Sequence, residues 1–322
     1  MPESTVLVVG GAGFIGSNLV RYWLRKHPRD RVVSLTSGRR VSPGHTGAQD
    51  VVCDLGEPDG LKQVLTEQSV DIVINCGGWS DNGRAVRDPL ACFEANVARC
   101  MAVLEACRTT GVRHYHQVSS AEVYGDLSVA AGVDESAPLR PLTPYSSTKA
   151  AADQLALSYG HTYGLAVTIT LSSNNYGPAQ LPEKVIPRFV TRALLGLTLP
   201  VFESPGSSRE WLHVRDHCRA IDRIISAGTP GERYNVGGGV NAGAHEIADA
   251  VLDFLGLPAD RKVTVPARPA LLNRTAVDST KVRTEVGWRP EKDFAAGLKE
   301  TIQWYVDNRD WWLPHVEAQG EK

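Results

Sequence analysis

Features that mark whole classes of protein are missing from this sequence. The formal net charge is only −2 over 322 residues, so no excess of one sign favours nucleic acid or an anionic membrane as a partner. No apolar run approaches the ~20 residues that a membrane-spanning helix needs. The six cysteines form no C-x-x-C pair, so they predict neither a metal site nor a disulfide framework. We therefore expect a protein of the reducing cytoplasm that binds no nucleic acid, metal or membrane.

The first half of the chain alternates apolar runs with amphipathic stretches. It opens directly into a strand-like run, MPESTVLVVGGAG, without a charged leader or an apolar signal core. Further strands are predicted at RVVSLT, AQDVVCDL, VDIVIN, RHYHQVSS and AVTITLSSN. Helical stretches such as LKQVLTEQ and FEANVARCMAVLEACRTT separate them. This alternation predicts an α/β fold, a doubly wound parallel sheet of the Rossmann type with helices on both faces.

The rhythm changes beyond residue 172. NYGPAQLPEKVIP carries three prolines, and VFESPGSSREW and GTPGERYNVGGG are typical of loops. Shorter helices are predicted around 185–195, 244–255 and 294–308. A chain of 322 residues is long enough for about two domains. We predict a dinucleotide-binding domain over 1–172 and a smaller α/β substrate domain over 173–322, with some exchange of strands or helices between them.

The first strand ends in a glycine-rich turn, VLVVGGAGFIGSNLV, that leads into a helix. Glycine permits the tight turn, lets the backbone approach a pyrophosphate and lets the helix pack closely on the strand. The helix N-terminus then offers free amide groups to the anion. In the first strand-turn-helix unit of a doubly wound chain, this pattern predicts dinucleotide binding rather than a purely structural turn. The residues predicted to contact the cofactor are Gly10, Gly13, Phe14, Ile15 and Gly16.

The end of the second strand decides between NAD and NADP. An acidic residue for the ribose hydroxyls is usual there in NAD-binding units. The sequence instead reads LTSGRR, with Thr36 and Ser37 at the expected place and Arg39 and a second arginine just after. These guanidiniums could receive a 2′-phosphate of NADP, or they are solvated loop cations while Thr36 or Ser37 holds the ribose. We predict NAD, with Asp54 and Leu55 after the third strand near the adenine.

A tyrosine and a lysine four residues apart, Tyr145 and Lys149 in YSSTK, lie on one face of a predicted helix. An adjacent ammonium favours phenolate and so lowers the pKa of a tyrosine from its ordinary value near ~10. Such a tyrosine can take an alcohol proton while hydride leaves to a nicotinamide. Ser120, at the end of the preceding strand, could hydrogen-bond the same hydroxyl. After a dinucleotide fold, the pair predicts a redox centre rather than ordinary positions on an amphipathic helix.

Taken together and in order, several motifs resemble the extended short-chain dehydrogenase/reductases, most closely the nucleotide-sugar 4,6-dehydratases of the dTDP-glucose type. These motifs are the glycine turn, SSAEVYG, PYSSTK, NNYGPAQLPEKVIP, REWLHVRDH, YNVGGG and DSTKVRTEVGWRP. The resemblance implies a Rossmann domain for NAD and a C-terminal domain for a nucleotide sugar. It also implies a homodimer joined by a helix bundle, built from the helices near 92–110 and 145–163.

The resemblance also implies roles for single residues. Ser120, Tyr145 and Lys149 match the residues that oxidise the sugar at C4, and Glu122 matches the one that deprotonates C5. Asn96 matches an asparagine of the substrate site that supports the active-site helix. The residues at positions that hold the diphosphate are Asn174, Lys184, Arg209 and Arg274. Arginine and lysine suit that anion, although each alone would be read as a surface cation.

Glu122 is the residue on which the predicted reaction depends. A ketone at C4 acidifies the C5 proton, so a carboxylate there can remove it and the C6 hydroxyl can leave. Simple 4-epimerases of the superfamily generally have no carboxylate at this position. The 4,6-dehydratases typically have an aspartate immediately before it that protonates the departing hydroxide, and here that position is Ala121. Either Glu122 itself protonates the oxygen, or C6 is treated differently.

Two further stretches depart from the family pattern. RPALLNRT, residues 268–275, differs near the nucleotide, and in NCGGWSDNGR Gly77 and Gly78 stand where alanines are usual, beside an unexpected Trp79. Extra room here would accept a bulkier sugar, such as one with an N-acetyl group. These departures are similar to those expected of the UDP-N-acetylglucosamine 5,6-dehydratase type of tunicamycin biosynthesis, in which hydride returns to C4 and the product is a 5,6-ene. The alternatives are 4,6-dehydration to a 4-keto-6-deoxy sugar, decarboxylation, C4 epimerisation, or a non-catalytic NAD(P) sensor.

Overall fold

Seven strands, each parallel to its neighbours, form the main sheet of the protein. The computed structural model describes residues 4–38, 47–127, 132–203, 207–266 and 274–318. The strands in these ranges are β1 (Thr5–Val9), β2 (Arg31–Thr36), β3 (Gln49–Val52), β4 (Ile72–Asn75), β5 (His114–Ser120), β6 (Ala166–Ser172), β7 (Asn174–Tyr176), β8 (Leu199–Phe202), β9 (Ser208–His213), β10 (Arg233–Val236), β11 (Val240–Ala242), β12 (Lys262–Val265) and β13 (Arg274–Thr275). The main sheet has the order β10-β6-β5-β4-β1-β2-β3, which confirms the doubly wound Rossmann prediction.

Helices cover both faces of this sheet. The helices are α1 (Phe14–Lys26), α2 (Pro58–Glu67), α3 (Asn82–Arg87), α4 (Pro89–Phe93), α5 (Arg99–Thr110), α6 (Pro144–Tyr163), α7 (Val185–Leu194), α8 (Val214–Ala227), α9 (Ala244–Leu255), α10 (Thr280–Glu285), α11 (Phe294–Asp307) and α12 (Arg309–Glu317). Leu7 and Val9 of β1 belong to a core cluster with α2, α5 and α6, whereas Val6 and Val8 belong to one with α1 and α8. The alternation along β1 therefore buries both faces, as in other parallel sheets.

The second half of the chain contributes to both parts of the molecule. Strand β10 pairs with β6 at the edge of the main sheet, and α8 packs on α1. The remaining elements build a separate core in which Phe189, Leu199, Ile247 and Trp312 are buried together. The two predicted domains, with their boundary at residue 172 and the exchange of elements between them, stay a prediction.

Three neighbouring strands of the main sheet end at the same edge, and the segments that follow them line one cavity. The carboxyl ends of β1, β4 and β5 lie side by side, because β4 pairs with both of the others. The order of the sheet reverses between β1 and β4, and such switch points form the binding crevice of doubly wound sheets. The fold thus brings the glycine turn and the SSAEVYG segment to one edge.

Capping residues at both ends determine where helix α6 begins and ends. Thr143 accepts a hydrogen bond from the Ser146 amide, and the Ser146 hydroxyl accepts one from the Thr143 amide, each at 3.0 Å. Pro144 occupies the first turn, where its missing N–H costs nothing. The helix ends at Gly164, whose φ of +73° suits a left-handed cap. This register sets where Tyr145 and Lys149 point.

Candidate active site

A cavity of about 570 Å³ lies along the carboxyl ends of the central strands. The predicted site residues that line it are Gly13, Phe14, Ile15, Gly16, Ser120, Glu122, Tyr145, Lys149, Asn174, Lys184 and Arg209. The predicted site residues of the described chain that do not line it are Gly10, Thr36, Ser37, Asp54, Leu55, Asn96 and Arg274. The fold therefore brings the glycine turn, the tyrosine–lysine pair, the carboxylate and the polar wall into one space.

The glycine turn forms a cradle for an anion. Gly10 adopts a φ of +74°, and its carbonyl accepts the Gly13 amide at 2.9 Å. A Cβ on Gly16 would lie 2.2 Å from that same carbonyl oxygen, so helix α1 can approach the turn only with glycine there. Gly13 caps α1 without a side-chain hydrogen bond, and the first turn of the helix has no acidic residue. The free amide groups fit the pyrophosphate of a dinucleotide.

The region predicted to hold the adenosine lies beside this cradle. Thr36 ends β2, and its carbonyl accepts the Cys53 amide. The carboxylate of Asp54 accepts the Gly56 amide at 3.0 Å and lies 3.9 Å from Arg99, with its side chain 63% exposed. Leu55 is buried below it. Arg39 falls outside the described residues, so its predicted role remains a prediction.

Tyr145 and Lys149 project from the first turns of α6 toward the end of β5. The Lys149 ammonium donates to the Val118 carbonyl at 2.6 Å, and the hydroxyl of Ser120 hydrogen-bonds Tyr145. Burial and the negative charge of Glu122 raise the pKa of Tyr145, although the bond from Ser120 opposes them. This direction is opposite to the lowering predicted from Lys149. In the protein alone, burial is the largest cause of the shift.

A buried carboxyl group, Asp153, stands one helical turn beyond Lys149. It is fully buried and accepts a hydrogen bond from the Ser119 hydroxyl at 2.6 Å. Burial raises its pKa to about 7, against the opposing effects of Lys149 and Ser119. Asp153 was not predicted as a site residue, because the burial of an aspartate on a helix becomes known only when the packing of that helix is known.

Glu122 reaches the cavity from the short 3-10 turn Ala121–Tyr124 that follows β5. Its Oε2 accepts a hydrogen bond from the side-chain amide of Asn82 at 2.8 Å. The Oδ1 of Asn82 in turn accepts the Thr143 hydroxyl at 2.9 Å. Glu122 also lies close enough to Arg209 for its charge to oppose the lowering of the Arg209 pKa by burial. The carboxylate is therefore held by an amide and balanced by a guanidinium.

Asn96 ties the loop after β4 to helix α6. Its Oδ1 accepts the Trp79 amide at 2.7 Å, and its Nδ2 donates to the Trp79 carbonyl at 3.2 Å and to the Thr148 hydroxyl at 2.9 Å. The residue is only 4% exposed. Its side chain thus supports the helix that carries Tyr145 and Lys149, and we propose a positioning role for it rather than direct contact with substrate.

The extra room predicted from Gly77 and Gly78 does not arise where their side chains would be. A Cβ on Gly78 would lie 2.4 Å from the Asn96 oxygen, and the glycine has a φ of +125°. A Cβ on Gly77 would lie 3.1 Å from Asn75 and Val9. These Cβ positions face protein, but both glycines line the cavity, so the predicted room for a bulkier sugar stays a prediction. Trp79 also lines the cavity.

Cationic and amide side chains form the opposite wall of the cavity. Asn174 lies on β7 and Arg209 on β9, and these two strands pair. The Lys184 ammonium donates to the Ser80 carbonyl across the cavity from them. Arg274 lies on β13, next to β9, but outside the cavity lining. Three of the four predicted diphosphate residues are thus brought together.

The family of the chain follows from comparison with known sequences. Residues 6–237 match the model of the NAD dependent epimerase/dehydratase family. The chain belongs to the NAD-dependent epimerase/dehydratase family. This match spans the main sheet, the glycine turn, the tyrosine–lysine helix and the wall that carries Arg209.

Relatives of this epimerase/dehydratase agree over almost its full length. The dTDP-glucose 4,6-dehydratase of Streptomyces antibioticus is 37% identical over 319 residues, which cover 96% of this chain and 94% of the relative. The crystal structure of a dTDP-glucose 4,6-dehydratase from Streptomyces venezuelae with NAD bound superposes with a TM-score of 0.92 at 36% identity, covering 97% of this chain and 99% of that one. The Thermus thermophilus UDP-glucose 4-epimerase in complex with NAD gives a TM-score of 0.88 at 28% identity, covering 94% and 99%.

The described part of this epimerase/dehydratase was searched for metal sites and for membrane-spanning helices. No group of three or more His, Cys, Asp or Glu side chains there could hold a metal ion. Within those same residues, no helix combines the length and apolarity that crossing a membrane requires. Asn82 was not predicted as a site residue, because its hydrogen bond to Glu122 joins residues 40 positions apart and no local sequence motif indicates it.

Proposed function

We propose that the protein is an NAD-dependent nucleotide-sugar dehydratase that oxidises C4 of a hexose and then eliminates water across C5 and C6. One observation carries this proposal: the Glu122 carboxylate lines the same cavity as Tyr145 and Lys149. A 4-epimerase needs only the tyrosine–lysine pair, whereas a dehydratase also needs a base for C5. A non-catalytic sensor has no use for either.

Each side chain has a defined task in this reaction. NAD, when bound in the glycine cradle, accepts hydride from the sugar. Tyr145, as the phenolate, takes the proton of the C4 alcohol, and Ser120 lowers its pKa through a side-chain hydrogen bond. The pKa of Tyr145 is raised in the protein alone, so a nearby positive charge on the cofactor is required to favour phenolate. Lys149 fixes the end of β5 through Val118 and adds its charge.

Elimination then depends on Glu122. The carboxylate takes the C5 proton, the C5–H electron pair forms the C5=C6 bond, and the C6–O pair leaves with oxygen. That oxygen departs as water after receiving a proton. Because Ala121 has no proton to donate, we assign this second transfer to Glu122 as well, which requires both transfers on one face of the sugar. Asn174, Lys184 and Arg209 are proposed to hold the diphosphate, as their charge and amide chemistry suits an anion.

Two products are compatible with this chemistry. Return of the hydride to C6 with a proton to C5 would give a 4-keto-6-deoxy sugar, and return of the hydride to C4 with a proton to its oxygen would give a 5,6-ene. The relatives support a 4-keto-6-deoxy sugar, because they include dTDP-glucose 4,6-dehydratases that are 37% and 36% identical over almost the whole chain. A specific departure favours a 5,6-ene formed from UDP-N-acetylglucosamine. Ala121 is 2% exposed within an apolar cluster, so the acid that handles the C6 oxygen in 4,6-dehydratases has no counterpart at that position. We take 4,6-dehydration as the better supported outcome and the 5,6-ene as the second candidate.

We also propose a homodimer of the cytoplasm. Large apolar side chains are exposed around α4 and α5, where Leu90 is 81% and Phe93 51% exposed, and Met101 lies on the following turns. A second copy of the same helices would cover them, in line with the bundle that the family resemblance implies. Light scattering should give twice the mass of the chain, and a monomer at micromolar concentration would contradict this part of the proposal.

The reaction is tested by incubating the protein with NAD and, separately, dTDP-glucose and UDP-N-acetylglucosamine in deuterated buffer. Proton NMR of the product separates the candidates. A C6 methyl signal beside a C5 that carries deuterium indicates 4,6-dehydration, and vinyl protons indicate the 5,6-ene. Inversion at C4 with C5 still protonated would contradict dehydration and identify an epimerase.

A further inference from the structure

The loop between β4 and α4 places an amide group against the carboxylate that the reaction uses. Asn82 begins helix α3, and its Nδ2 lies 2.8 Å from the Glu122 Oε2. Asp81 caps the same helix by accepting the Arg84 amide at 3.0 Å, which fixes the backbone at this point. Asn82 lines the cavity together with Glu122. Its amide is thus held beside the reacting space by a short, capped helix.

The orientation of this amide is set by a second hydrogen bond. The Thr143 hydroxyl donates to Asn82 Oδ1 at 2.9 Å while accepting the Ser146 amide at the start of α6. With its oxygen engaged there, Asn82 presents its N–H₂ end to Glu122. Because Thr143 also caps the helix that carries Tyr145, one chain of hydrogen bonds joins the C5 base to the helix of the C4 site.

We propose that Asn82 is a positioning residue for Glu122, holding Oε2 so that Oε1 is left to take the C5 proton. This inference rests on the proposed dehydratase function. Among the described residues, no other side chain hydrogen-bonds the Glu122 carboxylate. The neighbour in sequence, Ala121, offers no polar group. The orientation of the base therefore depends on one amide donor.

The proposal predicts a separation between the two steps of the reaction. In Asn82→Leu, the reduction of bound nicotinamide by substrate, which reports C4 oxidation, should change by less than about two-fold. Exchange of C5–H in deuterated buffer should slow roughly 10- to 100-fold, the range for one hydrogen bond to a charged group.

A second variant and a control keep the test decisive. Asn82→Asp keeps the size of the side chain and the contact with Thr143 but loses the donor, so it serves if the leucine variant does not fold. Gln303→Ala removes an amide-to-carboxylate bond of the same 2.8 Å length, to Asp307 on the exposed face of α11, and should leave both steps unchanged. Exchange at the wild-type rate, or equal losses in both steps, would overturn the positioning role. If instead the unaltered protein exchanges no C5–H with dTDP-glucose or UDP-N-acetylglucosamine, the proposed function itself fails.

Discussion

The close approach of helix α1 to the glycine turn gives a sharp prediction for Gly16→Ala. The added Cβ would lie 2.2 Å from the Gly10 carbonyl oxygen, 2.8 Å from its carbon and 3.0 Å from Gly11 Cα. All three atoms belong to the backbone, so no side chain can rotate away. Restoring an ordinary contact of 3.4 Å requires the helix to move outward by about 1 Å.

This movement acts on the amide groups proposed to hold the pyrophosphate. Overpacking of this kind typically costs about 1–3 kcal/mol. If the helix shifts to relieve it, the same free energy is lost from cofactor binding, which weakens NAD affinity roughly 5- to 150-fold. If the helix does not shift, the cost lowers the free energy of unfolding instead. Titration calorimetry with NAD and urea unfolding measure the two terms separately.

Gly60→Ala is the matched control for this substitution. Gly60 also lies in a helix, but its added Cβ would meet only the Cys53 sulfur at 3.6 Å, an ordinary contact. We expect unchanged NAD affinity and a gain in stability of roughly 0.5–1 kcal/mol. An unaltered NAD affinity together with unaltered stability in Gly16→Ala would refute the cradle as described.

Three further substitutions probe the site. In Glu122→Gln the charge that raises the pKa of Tyr145 is removed, so the acid limb of C4 oxidation against pH should move to lower pH, and a shift to higher pH would contradict the assignment. The pKa of Asp153 is about 7 in the folded protein and 3.8 in the unfolded chain. Ionisation of this carboxyl therefore does not lower the free energy of unfolding below about pH 4, but lowers it by up to about 4 kcal/mol above about pH 7. Asp153→Asn should therefore gain stability over the wild type as pH rises through this window, as urea unfolding at about pH 5 and about pH 8 can check, and a pH-independent difference would contradict the raised pKa. Asn96→Ala leaves the partly buried Trp79 amide without its acceptor and removes the bonds to the Trp79 carbonyl and the Thr148 hydroxyl. It should lower the free energy of unfolding by about 3 kcal/mol, and a loss below about 1 kcal/mol would contradict its role.

The fold could be predicted because its signals are local. Neighbouring residues alone determine the alternation of apolar side chains along β1 and the glycine turn after Val9. The capped start of α6 likewise depends on residues within one turn, so the placement of Tyr145 and Lys149 on one face needed no tertiary knowledge. These features specify a doubly wound sheet with its crevice at the strand ends.

The parts of the site that escaped prediction depend on distant residues. The bond from Asn82 to Glu122 and the clasp of Asn96 on Trp79 are made only after the sheet has formed. The direction of the Tyr145 pKa was wrong because the four-residue spacing to Lys149 does not reveal the burial of Tyr145 or the nearby charge of Glu122, which raise this pKa.

The central claim is that the Glu122 carboxylate removes the C5 proton of a sugar already oxidised at C4. The most direct measurement is C5–H exchange in deuterated buffer for the wild type and for Glu122→Gln, with reduction of bound nicotinamide followed in the same samples. We predict that the glutamine variant still oxidises C4 but exchanges C5–H at least about 100-fold more slowly, the lower range for loss of a general base. Exchange at the wild-type rate in that variant would contradict the claim.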